Sequence, residues 1–192
     1  MATQKQRSDA TRALLLKTFR QSFLDNGFER TTTQSVLTET QLSKGAMYHH
    51  FQSKTEIVEA IYADESKRTI ERAIARASKD LGPLEQLKSA CLTWTELARA
   101  PDVSKILFEI GPKALGPEKA KAIEDTHSLH LIEALLNKAI RTGEIRDSDP
   151  KLIAAFLNAL VEQTALYDRR TGGTSLALLE QAITALFASL KP

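Results

Sequence analysis

Apolar residues recur along most of the chain at steps of three and four residues, the spacing of one face of an α-helix. The first of these stripes runs from Leu15 to Phe23 and is followed by Gly27, a residue type that commonly ends helices. No segment alternates apolar and polar residues with the period of two that is typical of half-buried strands. All six prolines lie at or after Pro83, so the first part of the chain lacks the residue that most strongly interrupts helices. The pattern predicts an all-α fold of about nine helices.

Two short helices joined by a tight turn at 40–43 are predicted, one over 34–40 and one over 44–51. Threonines at 31–33 and Ser43 supply hydroxyls that can cap the amino ends of these helices. The apolar residues of both helices are spaced to pack against each other and against the first helix. This is the arrangement of a helix-turn-helix unit, whose second helix lies in the major groove of DNA with its first residues at the base edges.

The residues at the start of the second short helix suit contact with a duplex. Lys44 can reach a phosphate or a guanine edge, and the hydroxyl of Tyr48 can donate to a phosphate. Gly45 lets the backbone approach the duplex closely, and His49 falls on the same half of the helix. Lys54, at the start of the following long helix, is placed for the next phosphate. The sequence therefore predicts that double-stranded DNA is a partner of this segment.

Charge and composition are consistent with this prediction and narrow the class of protein. Residues 1–53 hold seven of the chain's 26 lysines and arginines but only four of its 24 acidic residues, which indicates a polyanionic partner or ordinary variation in surface charge. A single cysteine, Cys91, excludes an internal disulfide. No apolar run approaches the roughly 20 residues that a membrane span requires, and the amino end lacks the features of a signal peptide. We therefore expect a soluble cytoplasmic protein without membrane association and without a cofactor.

With the segment SKGAMYHHF at 43–51 and the residues around it from Phe23 to Lys54, the chain resembles the DNA-binding domain of the TetR (tetracycline-repressor) family of bacterial transcriptional regulators. The densely matched stretch covers about 50 residues, and the all-helical remainder also fits the family plan. Two positions depart from the family pattern: Gln41 replaces the usual glycine of the turn, and Leu37 replaces an alanine. We expect Gln41 to adopt a positive φ and Leu37 to alter slightly the angle between the two short helices. The resemblance rests on Phe23, Gly27, Thr31, Thr32, the segment SKGAMYHHF at 43–51, Ser53 and Lys54.

The resemblance implies a division into a helix-turn-helix domain at 1–53, a connecting long helix at 54–82, and an effector-binding and dimerisation domain at 83–192. It implies a transcriptional regulator, most simply a repressor that a small-molecule effector releases from its operator. The residues that it assigns to DNA binding are Thr32, Thr33, Ser43 as the helix cap, Lys44, Gly45, Tyr48, His49 and Lys54.

The last two long helices, at about 150–168 and 175–190, are implied to form a four-helix interface with their copies in a homodimer. Both helices carry broad apolar stripes, as such an interface requires. A symmetric dimer matches a palindromic operator with half-sites about 34–36 Å apart. The interface residues predicted from these stripes are Leu152, Phe156, Leu160, Leu179, Ile183, Leu186 and Phe187.

Candidate effector contacts are harder to separate from residues with structural roles. Trp94 and Phe108 suit either a pocket wall or the ordinary core, and Asn158 and Glu162 suit either an effector site or polar contacts across the dimer. His127, three residues before His130, suits a pocket wall or the surface. This is the one metal-like spacing in the chain, but no cysteine or third histidine is near it in sequence, so no metal is expected. The full set of predicted effector contacts is Trp94, Phe108, His127, Leu131, Asn158 and Glu162.

Other functions have less support in the sequence. The nucleophile, phosphate-binding, dinucleotide and zinc-protease motifs of common enzymes do not occur, so an enzyme is not expected. The alternative to an effector-controlled repressor is a constitutive DNA-binding protein, structural or regulatory, that uses the same helix-turn-helix without an effector. A third possibility is an enzyme or carrier of apolar ligands whose helix-turn-helix no longer binds DNA.

Overall fold

The computed structural model describes residues 3–78 and 80–192. Within these residues the regular structure is helical and no strand occurs, which confirms the predicted all-α class. None of the described helices is long and apolar enough to cross a membrane. The helices are α1 (Gln4–Arg30), α2 (Thr33–Thr40), α3 (Lys44–Tyr48), α4 (Lys54–Arg76), α5 (Pro83–Ala98), α6 (Pro101–Lys105), a π-helical segment (Ile106–Ile110), α7 (Gly111–Leu115), α8 (Pro117–Arg141), α9 (Pro150–Thr171) and α10 (Leu176–Ser189).

The chain forms two compact units, and each is discontinuous in sequence. The head unit consists of Met1–Glu65 and Lys105–Ala120, and the C-terminal unit consists of Ser66–Ser104 and Lys121–Pro192. Helices α4 and α8 contribute residues to both units because the divisions fall within them. The domains predicted from the sequence are continuous segments assigned by function, whereas these units are defined by packing. The predicted division therefore stays a prediction.

The head unit is built on the apolar face that the sequence pattern predicted for α1. Gly27 has φ 78° and interrupts the helical geometry of α1, which resumes and ends at Arg30. The predicted helix end at Gly27 is therefore a kink. The fully buried side chains that pack in this unit are Leu15, Phe19, Phe23, Met47, Phe51, Ile57, Tyr62, Ile106, Leu107 and Ile110.

The segment 105–120 is attached to the rest of the head unit by polar and apolar contacts. Lys105 Nζ donates to the carbonyl oxygen of Leu24 at 2.6 Å, and it thereby satisfies an acceptor in α1. A Cβ placed on Gly111 would lie 2.1 Å from a ring carbon of the buried Tyr62, so only glycine fits there. Backbone and ring pack in direct contact at this point, and the segment belongs to the head unit although it lies far along the chain.

The core of the C-terminal unit is formed by α5, α9 and α10, which pack against one another, together with Leu136 and Ala139 of α8. This arrangement corrects part of the predicted dimer interface. Leu179, Ile183 and Phe187 belong to the core of the unit and are buried within a single subunit, so a partner subunit has no access to them. The stripe on α10 is apolar because it packs on α5 and α9 of the same chain. Leu160 and Leu186 are partly buried against this core, whereas Leu152 and Phe156 are exposed.

Candidate functional sites

The helix-turn-helix of the head unit is stabilised by hydroxyl caps at both helix starts. Thr32 Oγ1 accepts from the backbone N–H of Ser35 at 3.1 Å, and Ser43 Oγ accepts from that of Ala46 at 3.1 Å. Both bonds satisfy backbone donors that have no partner within the helix. Between the helices, Gln41 has φ 56° and ψ 25°, which confirms the predicted left-handed conformation. These local interactions fix the direction in which α3 leaves the turn.

One side of α3 is buried and the other is accessible. Met47 is fully buried in the head unit, whereas Lys44, Gly45 and His49 are exposed and Tyr48 is 42% exposed. The predicted DNA contacts on α3 therefore lie on its accessible side. Of the two predicted DNA contacts at the start of α2, Thr32 is exposed to solvent and Thr33 is partly buried.

Lys54 differs from the other predicted DNA contacts because its ammonium group has partners within the protein. Its Nζ donates to the carbonyl oxygens of Phe28 at 2.9 Å and Thr31 at 3.1 Å, and it lies 4.1 Å from the ring centroid of Phe28. These bonds satisfy acceptors at the end of α1, a favourable position for a cation. The structure thus gives Lys54 a structural role that the sequence analysis missed, and its contact with phosphate stays a prediction.

Thr31 was predicted to be a possible helix cap and a match to the family pattern, but the cap of α2 is Thr32, and Thr31 instead connects α1 to α2. Its side chain is buried, and Oγ1 lies 3.0 Å from the carbonyl oxygen of Ser22 and 2.9 Å from that of Gly27. The hydroxyl therefore bonds across the kink in α1. A hydroxyl four residues after a glycine that interrupts a helix was the available signal in the sequence.

The C-terminal unit contains a cavity enclosed by residues of α4, α5, α8 and α9. It holds about 690 Å³ of empty space, including the part open to solvent. Four of the six predicted effector contacts line this cavity: Trp94, Leu131, Asn158 and Glu162. For Asn158 and Glu162, which the sequence left open between effector and dimer contacts, the structure supports the cavity. Apolar side chains form most of the remaining wall, among them Ile70, Leu87, Ile132 and Leu135.

The other two predicted effector contacts do not line the cavity. Phe108 belongs to the π-helical segment of the head unit, whose buried residues pack within that unit. His127 is partly exposed on α8, and the residues of α8 that reach the cavity include Glu124, Ser128 and Leu131. The cavity-facing residue at this turn of α8 is Ser128, which directly follows His127. The predicted contact is therefore wrong by one position.

The sequence analysis missed a polar cluster beside the cavity. Asp125 Oδ1 accepts from Asn158 Nδ2 at 2.9 Å and also from Lys121 Nζ. Lys121 Nζ lies 3.7 Å from Glu162 Oε2. Within α8, Ser128 Oγ donates to the carbonyl oxygen of Glu124 at 3.0 Å. Asn158 and Glu162 lie one turn apart on an apolar helix, and this spacing was the sequence signal for the α9 residues of the cluster.

Cys91 also lines the cavity, and its chemistry is that of a buried thiol. Burial raises the pKa of Cys91 to about 12, so the thiol is protonated at neutral pH and is a poor nucleophile. Across residues 3–78 and 80–192, no three histidine, cysteine or acidic side chains are grouped as metal ligands would be.

Large apolar side chains are exposed on the last two helices. On α9, Leu152 and Phe156 are one turn apart and are 51% and 56% exposed, and Leu178 of α10 is 67% exposed. Side chains of this size are usually covered in a functional assembly when they lie close together on a surface. Leu152 and Phe156 are the exposed part of the predicted interface, whereas Leu178 was not among the predicted residues.

Comparison with known protein families identifies both parts of the chain. Residues 15–61 match the model of the tetR family of bacterial regulatory proteins, and residues 84–190 match that of the tetracyclin repressor-like C-terminal domain. The second match alone covers more than half of the chain. The chain therefore belongs to the TetR family of bacterial transcriptional regulators, as the residues at 23–54 indicated.

Individual relatives are distant. The HTH-type transcriptional regulator UidR of Escherichia coli (strain K12) is 32% identical over 62 residues, which span 32% of this chain and about a third (32%) of UidR. The probable HTH-type transcriptional regulator ArpR of Pseudomonas putida is 28% identical over 153 residues, covering 73% of this chain and 71% of ArpR. A crystal structure of a TetR-family transcriptional regulator from Pectobacterium atrosepticum superposes with a TM-score of 0.79 at 24% identity and covers 99% of this chain and 98% of that one. The superposition shows that the fold is shared.

Proposed function

We propose that the protein is a homodimeric repressor that binds a palindromic operator through α3 and releases it when a small molecule occupies the cavity of the C-terminal unit. The observation that carries this proposal is the accessible face of α3, whose start is capped by Ser43. Lys44, Gly45 and Tyr48 lie on this face, and the exposed His49 directly follows the helix. The cavity of the C-terminal unit gives the same chain a place for an effector.

Contacts of α3 with DNA follow from the chemistry of these side chains. Lys44 and Tyr48 supply hydrogen-bond donors for phosphate oxygens, and Lys44 also suits the O6 and N7 acceptors of guanine. Thr32 and Thr33 place hydroxyls at the start of α2, the positive end of a helix, which suits a phosphate. Phosphate contacts provide most of the affinity and make it depend steeply on salt concentration.

The homodimer follows from the exposed part of the predicted interface. Leu152 and Phe156, together with the partly buried Leu160 and Leu186, give α9 and α10 an outward apolar surface. A twofold axis through this surface would pair each helix with its copy, and it would present two α3 helices to two half-sites. Since the C-terminal unit forms both the cavity and this surface, an occupied cavity can favour a different spacing of the two α3 helices. An effector that binds that state more tightly lowers operator affinity by its difference in affinity for the two states.

The proposal is tested by recovering the DNA that the full-length protein binds from genomic fragments. A palindrome with half-sites about one helical turn apart is expected. Phe156→Lys should shift the protein from dimer to monomer in analytical ultracentrifugation and abolish operator binding, whereas Ala75→Lys, which adds the same charge on an exposed face of α4, should do neither. Failure to bind any DNA at low salt would contradict the proposal. Binding that no occupant of the cavity weakens would instead favour the constitutive DNA-binding protein.

A further inference from the structure

The wall of the cavity is mostly apolar, and the polar side chains in it offer hydrogen-bond acceptors and negative charge to a ligand. We infer that the effector is an apolar organic cation, with a hydrophobic body against the apolar wall and an ammonium group beside Glu124 and Glu162. This inference rests on the proposed function in taking the cavity as the effector site.

The apolar wall sets the body of the ligand. Helices α4, α5 and α8 contribute branched aliphatic side chains to the wall, and α5 contributes Trp94. A ligand without a substantial hydrophobic part would leave this surface unsatisfied, since apolar contact supplies most of the affinity in sites of this kind. The indole of Trp94 also offers a π face, which attracts a cation within about 6 Å of its centroid.

The polar side chains that line the cavity offer acceptors more than donors. Asn158 Nδ2 donates one of its two N–H groups to Asp125, and the side-chain carbonyl oxygen of Asn158 is an acceptor that a ligand can use. Ser128 Oγ donates to the carbonyl oxygen of Glu124, and its lone pairs are also acceptors. A ligand that matches this wall therefore brings hydrogen-bond donors.

The charged side chains that line the cavity are both acidic. Glu124 and Glu162 belong to the wall, and no lysine, arginine or histidine does among the residues that the structure describes. The cation in the adjoining cluster is Lys121, which contacts Asp125 and lies 3.7 Å from Glu162. The carboxylates of Asp125 and Glu162 thus share one ammonium group, which leaves this cluster with one net negative charge. Each carboxylate has several lone-pair sites, so each accepts from a ligand in addition to its partners inside the protein.

This balance selects against ligands of the other charge types. An anion would enter a mostly apolar space with like charges on its wall, and the desolvation of the anion would be uncompensated. A neutral ligand of the same shape would gain the apolar contacts and lose the attraction to two carboxylates, which is strong in a partly water-excluded site. A cation gains both.

The test compares three probes of similar shape: the cation 3-phenylpropylammonium, its uncharged isostere butylbenzene, and the anion 3-phenylpropanoate. Trp94 is the single tryptophan of the chain and lines the cavity, so its fluorescence reports occupation by each probe. We expect the cation to bind about ten times more tightly than the isostere, which corresponds to a difference of 1.4 kcal/mol, and the anion to bind more weakly than both. Equal or weaker binding of the cation, or no binding of the cation, would overturn the inference.

Two substitutions should change the charge preference in opposite directions. Glu162→Gln keeps the shape of the side chain and should reduce the preference for the cation about fivefold, whereas Lys121→Met removes the competing ammonium and should tighten cation binding about threefold. Binding of the uncharged isostere should change less than twofold in both variants. Glu96→Gln, which removes an exposed charge of α5 away from the cavity wall, is the matched control.

A general loss of structure would weaken the binding of all probes alike. It would not weaken cation binding in one variant and tighten it in the other. If Glu162→Gln does not fold, Lys121→Met still decides the question, since unchanged cation binding would contradict the inference. The titrations contain no DNA, so they can fail while operator binding and release succeed. Conversely, selective binding of the cation without release of the operator would contradict the proposed function and leave the ligand class intact.

Discussion

The head unit and the C-terminal unit differ in how completely their interiors are filled. In the head unit, the ring of Tyr62 occupies the space that a single methyl group on Gly111 would need. In the C-terminal unit, the side chains of α4, α5, α8 and α9 leave a cavity between them. The polar side chains of the two units also differ in their surroundings. In the head unit Thr32, Ser43 and Lys54 bond to backbone groups at helix ends, whereas in the C-terminal unit a polar cluster adjoins empty space.

This contrast indicates that the two units have different tasks. A tightly filled interior with capped helix ends holds surface residues in fixed positions, as contact with the regular spacing of a duplex requires. An interior with space and polar groups near it can accept an occupant and adjust around it. The four predictions below test this contrast, in order of decreasing expected effect.

The strongest test enlarges one side chain in each interior. Gly111→Ala should lower the free energy of unfolding by about 3 kcal/mol, because the new Cβ meets a buried ring and the backbone together. Ala90→Leu, which adds three carbons to the cavity wall, should change it by less than about 1 kcal/mol and should weaken occupation of the cavity. Chemical unfolding measures both variants. Similar losses in the two would show that the interiors are equally filled.

The second test removes the ammonium group at the end of α1. Lys54→Met should lower the free energy of unfolding by about 2 kcal/mol, since two carbonyl oxygens lose a charged donor. The dependence of operator affinity on salt, measured on the same variant, reports any phosphate contact. A fall of about one unit in the salt slope without a loss of stability would assign Lys54 to DNA rather than to the end of α1.

The third test addresses the surface that the head unit holds in place. Lys44→Ala should weaken operator binding about tenfold without changing the unfolding curve, because the side chain is exposed in the free protein. Fluorescence anisotropy with labelled operator measures the affinity. Lys138→Ala, which removes an exposed charge from α8, should leave it unchanged. Unfolding of the Lys44 variant would contradict the view that this residue serves the surface only.

The smallest expected effect concerns pH. Partial desolvation lowers the pKa of His50, and the positive charges of His49 and Arg12 add to this effect. Since the unfolded chain then binds the proton more readily than the folded one, the contribution of His50 to stability is present above about pH 6.5 and is lost as the pH falls through the lowered value. Thermal unfolding from pH 7.5 to 5.5 should therefore show a greater loss for the wild type than for His50→Gln. Parallel losses would contradict this role.

The features that could be predicted from the sequence depend on residues close together in the chain. A hydroxyl cap needs only a serine or threonine and a backbone N–H about three residues later, so Thr32 and Ser43 were assigned correctly. The left-handed conformation of Gln41 followed from the family resemblance, because the family turn usually has glycine at this position. Trp94 and Leu131 were placed in the pocket from the family resemblance, and the structure places both on the cavity wall.

The errors arose where the face of a helix depends on distant neighbours. The stripe of Leu179, Ile183 and Phe187 is equally suited to a partner subunit or to α5 and α9 of the same chain, and periodicity does not distinguish the two. Phe108 was assigned by its position along the chain, but a π-helical segment and packing in the head unit determine its surroundings. The bonds of Lys54 to Phe28 and Thr31 join residues 26 and 23 positions apart, which no local pattern encodes.

The contact between Gly111 and Tyr62 also bears on protein engineering. Regulators with new specificities are made by joining the reading portion of one repressor to the sensing portion of another at a single crossover point. Here such a crossover after Glu65 would separate Tyr62 from Gly111 and Leu24 from Lys105, and it would replace a glycine by whatever the donor chain carries at that position. A working hybrid of this protein therefore requires two exchanged blocks, 1–65 and 105–120, grafted together.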